Sequence, residues 1–350
     1  KFLMLEHLKE VARGWLGPSP HDAHLARIAL EYSYDDLFAA TGGFAAAARL
    51  GTGATSHVYR GLLRGGTEVA VKVLSEETGA GGFEEELSVL GRFRHPNIVA
   101  LLGWGRCEEQ RFIVYELLQC DIARRLWKSK RGAVAFPWQQ RLRAARDSAS
   151  GLSHMVNSKP QAFHRDIKAA NILVDAHGVA KVADFGLAST TGHELRLADE
   201  EICGSPGYAC PSYIETGIVS EQSEAHSFGV VLLELLINEL PAALGHAGQI
   251  VYPLRDFVQP ECPGALERVM ARRDPGCSWP LPLACRLAEV GLACIGQPEG
   301  RPPFEDMVCV LRHLCRHFGA DNQHLVATPA GNGACATPSL HGPLPPAPWR

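Results

Sequence analysis

No stretch of this 350-residue chain is apolar for the ~20 residues that a bilayer-crossing helix needs, so nothing in it reads as a membrane span. Residues 1–16 carry acids and bases throughout, which argues against a secretory leader there. An excess of one charge is also missing. With 34 Lys and Arg against 38 Asp and Glu, the net charge of -4 gives no reason to expect nucleic acid or an anionic membrane as partner. Cysteines in metal-ligand pairs are absent as well. The eleven cysteines are odd in number and scattered: Cys203 and Cys210 are seven apart, Cys309 and Cys315 six apart. That pattern predicts reduced thiols of an intracellular protein rather than a disulfide or zinc framework. The first residue is Lys1, not Met, as expected of a piece of a longer protein, which leaves a span upstream of it open.

What is present is an ordinary globular composition, 46% hydrophobic and 21% charged, long enough for one large domain or two lobes with cores of their own. Phe2, Leu5, Leu8, Ala12 and Leu16 fall near helical spacing and predict an amphipathic helix, packed on its own domain or on one upstream and broken at Gly17-Pro18-Ser19-Pro20. A second helix is expected through Tyr34-Asp35-Asp36-Leu37-Phe38-Ala39-Ala40-Thr41, stopped by Gly42-Gly43. From Leu50 the pattern changes to short β-branched strands over 58–61 and 69–74, joined by the hairpin signal Arg64-Gly65-Gly66-Thr67. A helix over 83–93 and strands over 98–103 and 112–116 follow. Beyond Asp121 the pattern is mostly helical, notably over 138–156, 225–237, 282–295 and 304–318. A small β-rich lobe before a larger helical one is a two-lobed α+β architecture. After about Gly319 the chain turns to Pro, Gly, Ala and Ser, a composition expected to be disordered.

Several short motifs carry chemistry. Phe163-His164-Arg165-Asp166-Ile167-Lys168-Ala169-Ala170-Asn171 sets a carboxylate, an amine and a carboxamide within six residues. Asp166 can accept a proton, Lys168 can hold a phosphate oxygen, and Asn171 can offer an oxygen to a divalent cation. Leu50-Gly51-Thr52-Gly53-Ala54-Thr55-Ser56-His57-Val58 lies at a hairpin turn, where glycines let backbone N–H groups approach triphosphate oxygens. Its third expected glycine is Ser56, which stiffens the loop. Lys72 ends the apolar run Val69-Ala70-Val71, so its ammonium needs an anion to offset its desolvation. Glu84, Glu85 and Glu86 all offer one. Phe83, Leu87 and Leu90 define the inward stripe of the helix, and Glu86 sits along its edge, so Glu86 is the expected partner. Asp184, in Ala183-Asp184-Phe185-Gly186, would hold Mg²⁺ bridging phosphates, with Asn171 as the second protein ligand.

In that order, these motifs make residues 44–318 resemble a eukaryotic protein kinase domain. More narrowly, the chain resembles the Pelle-like and plant receptor-like group. That likeness rests on the 34–44 stretch and on His95-Pro96-Asn97-Ile98-Val99. It also rests on Gly204-Ser205-Pro206-Gly207-Tyr208, Ser227-Phe228-Gly229-Val230-Val231-Leu232-Leu233-Glu234 and Arg301-Pro302. The resemblance implies a two-lobed protein kinase fold with a helical extension over 1–43, an N-lobe over 44–116, a hinge over 117–121, a C-lobe over 122–318 and a tail over 319–350. It implies Tyr115 as gatekeeper behind the adenine, backbone bonds to adenine from Glu116 and Leu118, and Val58, Ala70 and Leu173 around the ring. It further implies ATP with Mg²⁺ (or Mn²⁺), protein substrates phosphorylated on Ser or Thr as Lys168 and Ser205 suggest, and an upstream receptor or adaptor. The expected location is cytoplasmic, or the intracellular part of a membrane-associated protein.

The chain departs from the family pattern in three further places. Ala-Pro-Glu reads Cys210-Pro211-Ser212, removing the glutamate that pairs with Arg301; the expectation is that Arg301 is more exposed or that Glu215 replaces the partner. The aspartate before Ser-Phe-Gly is Glu224, one methylene longer, which puts its support of the catalytic-loop backbone in question. Asp199 and Glu200, with Glu201 adjacent, stand where relatives carry phosphorylated Ser or Thr, and Arg165 is the residue expected to clamp such an anion. These departures leave a second reading, a pseudokinase-like scaffold that binds ATP with weak or no transfer.

Overall fold

The structure is a computed structural model that describes residues 28–53, 56–75, 82–108, 110–191, 195–198 and 202–321. The helix expected over 1–16, residues Ala54 and Thr55, the acidic trio Asp199, Glu200 and Glu201, and the tail from 322 lie outside the described residues. The chain divides into two compact units. Of the described residues, one unit holds 28–118 with Asp184–Ala188, and the other holds 119–183 with 189–321.

The first unit is built on a six-stranded sheet: β1 (Leu30–Glu31), β2 (Arg49–Thr52), β3 (Ser56–Leu62), β4 (Glu68–Ser75), β5 (Leu101–Cys107) and β6 (Gln110–Glu116), in the spatial order β1-β5-β6-β4-β3-β2. Alternation along β4 gives the sheet two faces. Val69 and Val71, with Phe112 and Val114 of β6, pack on Leu37 of α1 (Tyr34–Ala40), and these five side chains are wholly buried. The other face carries Ala70 opposite Tyr115, and Lys72 between Val58 and Ile113. Helix α2 (Phe83–Arg92) buries Phe83, Glu86, Leu87 and Leu90 on one side, as its periodicity predicts.

The strand expected over 98–103 starts only at Leu101. Ile98 returns its N–H to His95 O, and Asn97 N–H bonds His95 Nδ1, so the apolar Ile98-Val99 pair is buried in a turn instead. A short buried apolar run does not distinguish the two by periodicity.

The second unit is helical: α3 (Ile122–Lys130), α4 (Trp138–Val156), α5 (Pro211–Thr216), α6 (Glu221–Ile237), α7 (Pro253–Val258), α8 (Ala265–Arg272), α9 (Leu281–Ile295) and α10 (Phe304–His317). Three short strands, β7 (Cys120–Asp121), β8 (Gln161–Phe163) and β9 (Ile172–Val174), flank the 163–171 segment, and β10 (Ala180–Val182) pairs with β9. Helix α6 begins at Glu221 rather than 225 because Ser220 caps it, accepting the N–H of Ser223. It crosses α9 at glycines: a Cβ on Gly229 would lie 2.4 Å from Cys294 Cβ, and one on Gly291 would lie 2.9 Å from Leu233. Ala320, 1% exposed, returns its N–H to Cys315 O, so order continues two residues past Phe318 into the expected tail. The described cysteines are free thiols, and among the described residues no helix is long and apolar enough to cross a membrane.

One charged pair lies inside the helical core. Arg141 is fully buried; its guanidinium donates to Asp274 Oδ2 at 2.6 Å, Leu235 O at 2.9 Å and Phe136 O at 2.8 Å. Removing one member of such a pair strands the other. Arg141→Ala is expected to destabilise the unit by about 3–5 kcal/mol, read from urea unfolding, whereas Arg141→Met/Asp274→Leu recovers most of that loss. Equal losses in the single and double variants would contradict this.

Candidate active site

The β-rich unit organises its chemistry around one buried carboxylate. Glu86 is 0% exposed; its Oε2 lies 2.8 Å from Lys72 Nζ, and its Oε1 accepts from Tyr115 Oη at 2.6 Å and from the Phe185 N–H at 3.2 Å. Glu84 and Glu85 are exposed. Lys72 Nζ is also 2.6 Å from Asp184 Oδ1. Burial is the largest influence on Lys72 and pulls its pKa down, but the Glu86 and Asp184 carboxylates outweigh it and leave the ammonium above its ordinary value. Burial, reinforced by Glu86, likewise pushes the Tyr115 phenol well up, so it remains a donor. Asp184 adopts φ +65°, a left-handed conformation uncommon outside glycine.

The surroundings of this cluster are tight at one point. Gly82, just before α2, has φ +111°, and a Cβ there would lie 2.7 Å from Gly186 O. Of the other residues expected around a nucleotide, Leu50, Gly51 and Thr52 end the β2 side of the hairpin, and Gly53 donates its N–H to Ser56 O at 2.8 Å. His57 and Val58 lie on β3, Val58 half-buried. Glu116 N–H is bonded to Ala100 O, and Leu118 is half-buried at the end of this unit.

In the helical unit three side chains converge on the Asp166 carboxylate. Its Oδ2 accepts from Lys168 Nζ at 2.6 Å and Asn171 Nδ2 at 3.0 Å; its Oδ1 accepts from Ser205 Oγ at 2.7 Å, and Lys168 Nζ also reaches Ser205 Oγ at 2.8 Å. His164 underpins this loop from the core. Its Nδ1 accepts the Asp166 N–H at 3.3 Å, which assigns the ring proton to Nε2, 3.0 Å from Ala183 O. Leu173, on β9, is half-buried opposite Lys181.

Two of the departures from the family pattern resolve geometrically, those at Glu224 and at Ser212. Glu224 reaches the loop backbone despite its extra methylene: Oε2 accepts the His164 N–H at 2.6 Å and Oε1 the Arg165 N–H at 3.0 Å. Arg165 has φ +67°, and this double clamp holds it there. Glu215 is exposed and does not replace the missing carboxylate at Arg301. Arg301 instead donates to Cys210 Sγ at 3.0 Å, Gln222 O at 2.9 Å and Gly296 O at 2.9 Å. Neutral acceptors satisfy a half-exposed guanidinium that needs no buried counter-ion. Sequence reasoning missed Cys210, although its place two residues before the expected glutamate was the available signal. The segment ending at Tyr208 is anchored on α6: its hydroxyl donates to Glu234 Oε2 at 2.5 Å, and its carbonyl accepts from Ser227 Oγ at 2.9 Å.

Residues 44–256 match the protein kinase domain. The chain belongs to this family. A proline-rich receptor-like protein kinase of Arabidopsis thaliana, PERK2, is 40% identical over 213 residues, covering 60% of this chain and 30% of the relative. PERK5 from the same plant is 37% identical over 248 residues, 70% of this chain and 37% of its own length. The L-type lectin-domain containing receptor kinase VII.1 is 32% identical over 292 residues, 79% of this chain and 41% of the relative. This protein kinase is therefore similar to plant receptor-like kinases, and it spans about a third of the length of the proline-rich ones.

Membership in the family implies ATP and a divalent metal, and the donors present suit them. Mg²⁺ takes one or two protein oxygens plus phosphates rather than a protein cage. Among the described residues no cluster of three His, Cys, Asp or Glu could hold a metal, whereas Asp184 has a half-exposed side chain. Asn171 spends its Nδ2 on Asp166, which leaves its carbonyl oxygen as the donor for a cation.

Two tests follow from this geometry. Gly82→Ala sets a methyl against Gly186 O at a φ unfavourable to alanine, so turnover should fall and thermal stability drop by about 1–3 kcal/mol. Unchanged turnover and melting would show that the approach is looser than drawn. The second concerns Glu234, whose burial pushes its pKa up to about 8 against the Tyr208 hydrogen bond, with Asp121 adding to the rise. A carboxyl raised on folding contributes stability that is complete below its ordinary value and lost as pH climbs through the folded one. Wild type should therefore lose stability between about pH 4.5 and about pH 8 relative to Glu234→Gln, measured by urea midpoints across that window. Parallel profiles would refute it.

Proposed function

We propose that this protein kinase transfers the γ-phosphoryl group of ATP to serine and threonine hydroxyls of protein substrates. The observation that carries this reading is the convergence of Lys168, Ser205 and Asn171 on the Asp166 carboxylate. Asp166 orients the acceptor hydroxyl and takes up its proton, while Lys168 offsets charge on the phosphoryl oxygens. Lys72, held by Glu86, does the same for the nucleotide phosphates. Asp184 and Asn171 would hold Mg²⁺ (or Mn²⁺), which would supply neutralisation of phosphate charge. Leu50, Gly51, Thr52, Gly53, Ala54, Thr55, Ser56, His57 and Val58 cover the nucleotide. Glu116 and Leu118 bond adenine through their backbone; Val58, Ala70 and Leu173 enclose the ring, with Tyr115 as gatekeeper. Arg165 clamps the anion of the activating segment. Because the transition state is loose, this is chiefly positioning and electrostatics.

The setting proposed is signalling on the cytoplasmic side, as the intracellular part of a longer receptor-like protein coupled to an upstream receptor or adaptor. The receptor-like relatives and the free thiols support it. Nothing in the geometry favours the inactive-scaffold reading, since Glu224 and Arg301 both have partners. The deciding experiment uses radiolabelled ATP and a generic basic protein, followed by phosphoamino-acid analysis. Label should appear on serine and threonine and fall about 10²–10⁴-fold in Asp166→Asn, with Mg-ATP binding retained. No incorporation by wild type that still binds Mg-ATP would sink the proposal.

A further inference from the structure

The helical unit contains a cavity of about 190 Å³ among α3, α4 and the turn that follows β9. Its walls include Arg125, Gln140, Arg143, Phe136, Asp175 and His177, none of which belongs to the catalytic set. Two of these residues have a buried polar atom that nothing satisfies: among the described residues, neither Arg125 Nε nor Arg143 Nε has a hydrogen-bond partner. Buried donors are paired as a rule, and an exception points to a partner of complementary chemistry.

We propose that this cavity is an oxyanion pocket for a phosphate monoester, and that its two guanidinium groups grip the phosphoryl oxygens. The Nε–H, with a neighbouring Nη–H, forms the fork that takes phosphate in a bidentate grip. Arg125 is already positioned for this. Its Nη2 donates to Gln140 Oε1 at 2.9 Å, and its guanidinium lies 5.2 Å from the Phe136 ring centre, so little side-chain freedom is left to lose on binding. Asp175, the acid in the wall, is turned into its own loop, where Oδ1 accepts the N–H groups of His177 at 2.8 Å and Val179 at 2.9 Å. Two permanent positive charges and an exposed imidazole therefore line the cavity together with a single carboxylate, one oxygen of which is engaged. That balance excludes a cation and favours a dianion. The volume also exceeds the ~30 Å³ share of a single water and suits a compact group. The phosphoryl group could come from free phosphate or from a phosphorylated side chain, and the pocket recognises what the two share.

The test uses the full chain saturated with Mg²⁺ and a non-hydrolysable ATP analogue, which occupies the nucleotide site. Inorganic phosphate and N-acetyl-O-phosphoserine amide are titrated in turn and followed by ³¹P line broadening. At least one probe should bind, with an affinity that falls as salt rises. Arg143→Gln and Arg125→Gln should each weaken it by about tenfold, and Arg143→Lys by less. Equal binding of both probes assigns the site to free phosphate, and binding of the phosphoserine amide alone assigns it to a phosphorylated protein. Absence of binding by either probe, or affinities that both glutamine variants leave unchanged, overturns the proposal. Thermal melts confirm that the variants fold, and their phosphotransfer should match wild type, which separates this pocket from the kinase reading.

Discussion

The β-rich unit depends on the burial of one negative charge. Glu86 has no exposure, and an unpaired carboxylate in such a place costs several kcal/mol. Its two oxygens collect an ammonium, a phenol and a backbone N–H, from Lys72, Tyr115 and Phe185. Each partner is fixed in turn by this requirement. Lys72 cannot swing to solvent without stranding Glu86, Tyr115 cannot rotate without losing its acceptor, and Phe185 holds Asp184 next to Lys72. The left-handed backbone of Asp184 is strained, and the Lys72 ammonium on its side chain, with Glu86 holding the next N–H, keeps it there. Gly82 completes the arrangement by leaving room for the Gly186 carbonyl.

The helical unit solves the corresponding problem for Asp166 from beneath. His164 and Glu224 hold the loop by its backbone, so the side chains of Asp166, Lys168 and Asn171 are left to face one another. A glutamate where relatives have aspartate works because both its oxygens find N–H groups of consecutive residues. What the substitution alters is reach, and α6 accommodates it. The Arg301 contacts make a related point. Losing the family glutamate is tolerable where the guanidinium is only half-buried and thiol and carbonyl acceptors are close.

Much of this was legible in the sequence wherever a local rule decided the matter. Glu86 could be told from Glu84 and Glu85 because helical geometry sets which of three consecutive acids lies beside the apolar stripe, and that is the one that reaches Lys72. The bounds of α4 followed from a long amphipathic period, and the β3–β4 hairpin from Arg64-Gly65-Gly66-Thr67. Where contacts come from distant positions, the sequence was silent. Nothing local says that Tyr115 bonds Glu86, that Cys210 meets Arg301 across ninety-one residues, or that Arg125 and Arg143 share one cavity with the turn after β9. The 98–103 run was misjudged for a different reason: burial of Ile98 and Val99 is real, but a turn centred on Pro96 provides it before the strand begins.

Three buried glutamates show how partner type sets the protonation that the fold can sustain. Glu86 has a cation in contact, the Lys72 ammonium at 2.8 Å. Glu224 is raised by burial, against the opposing pull of His164 and Arg165, whose backbone N–H groups it also accepts. Glu234 has one phenolic donor and a neighbouring acid, and burial pushes its pKa up to about 8. Near neutral pH the carboxyl that anchors Tyr208 is therefore mostly protonated, whereas the one that anchors Lys72 belongs to an ion pair. His226, which also contacts the Tyr208 carbonyl, is pushed the other way by burial and then by Arg301, to about 4, so it stays neutral over the same range. The segment ending at Tyr208 thus rests on neutral hydrogen bonds, which are individually modest and can be exchanged. The Lys72–Glu86–Asp184 cluster rests on charges that cannot separate without heavy desolvation.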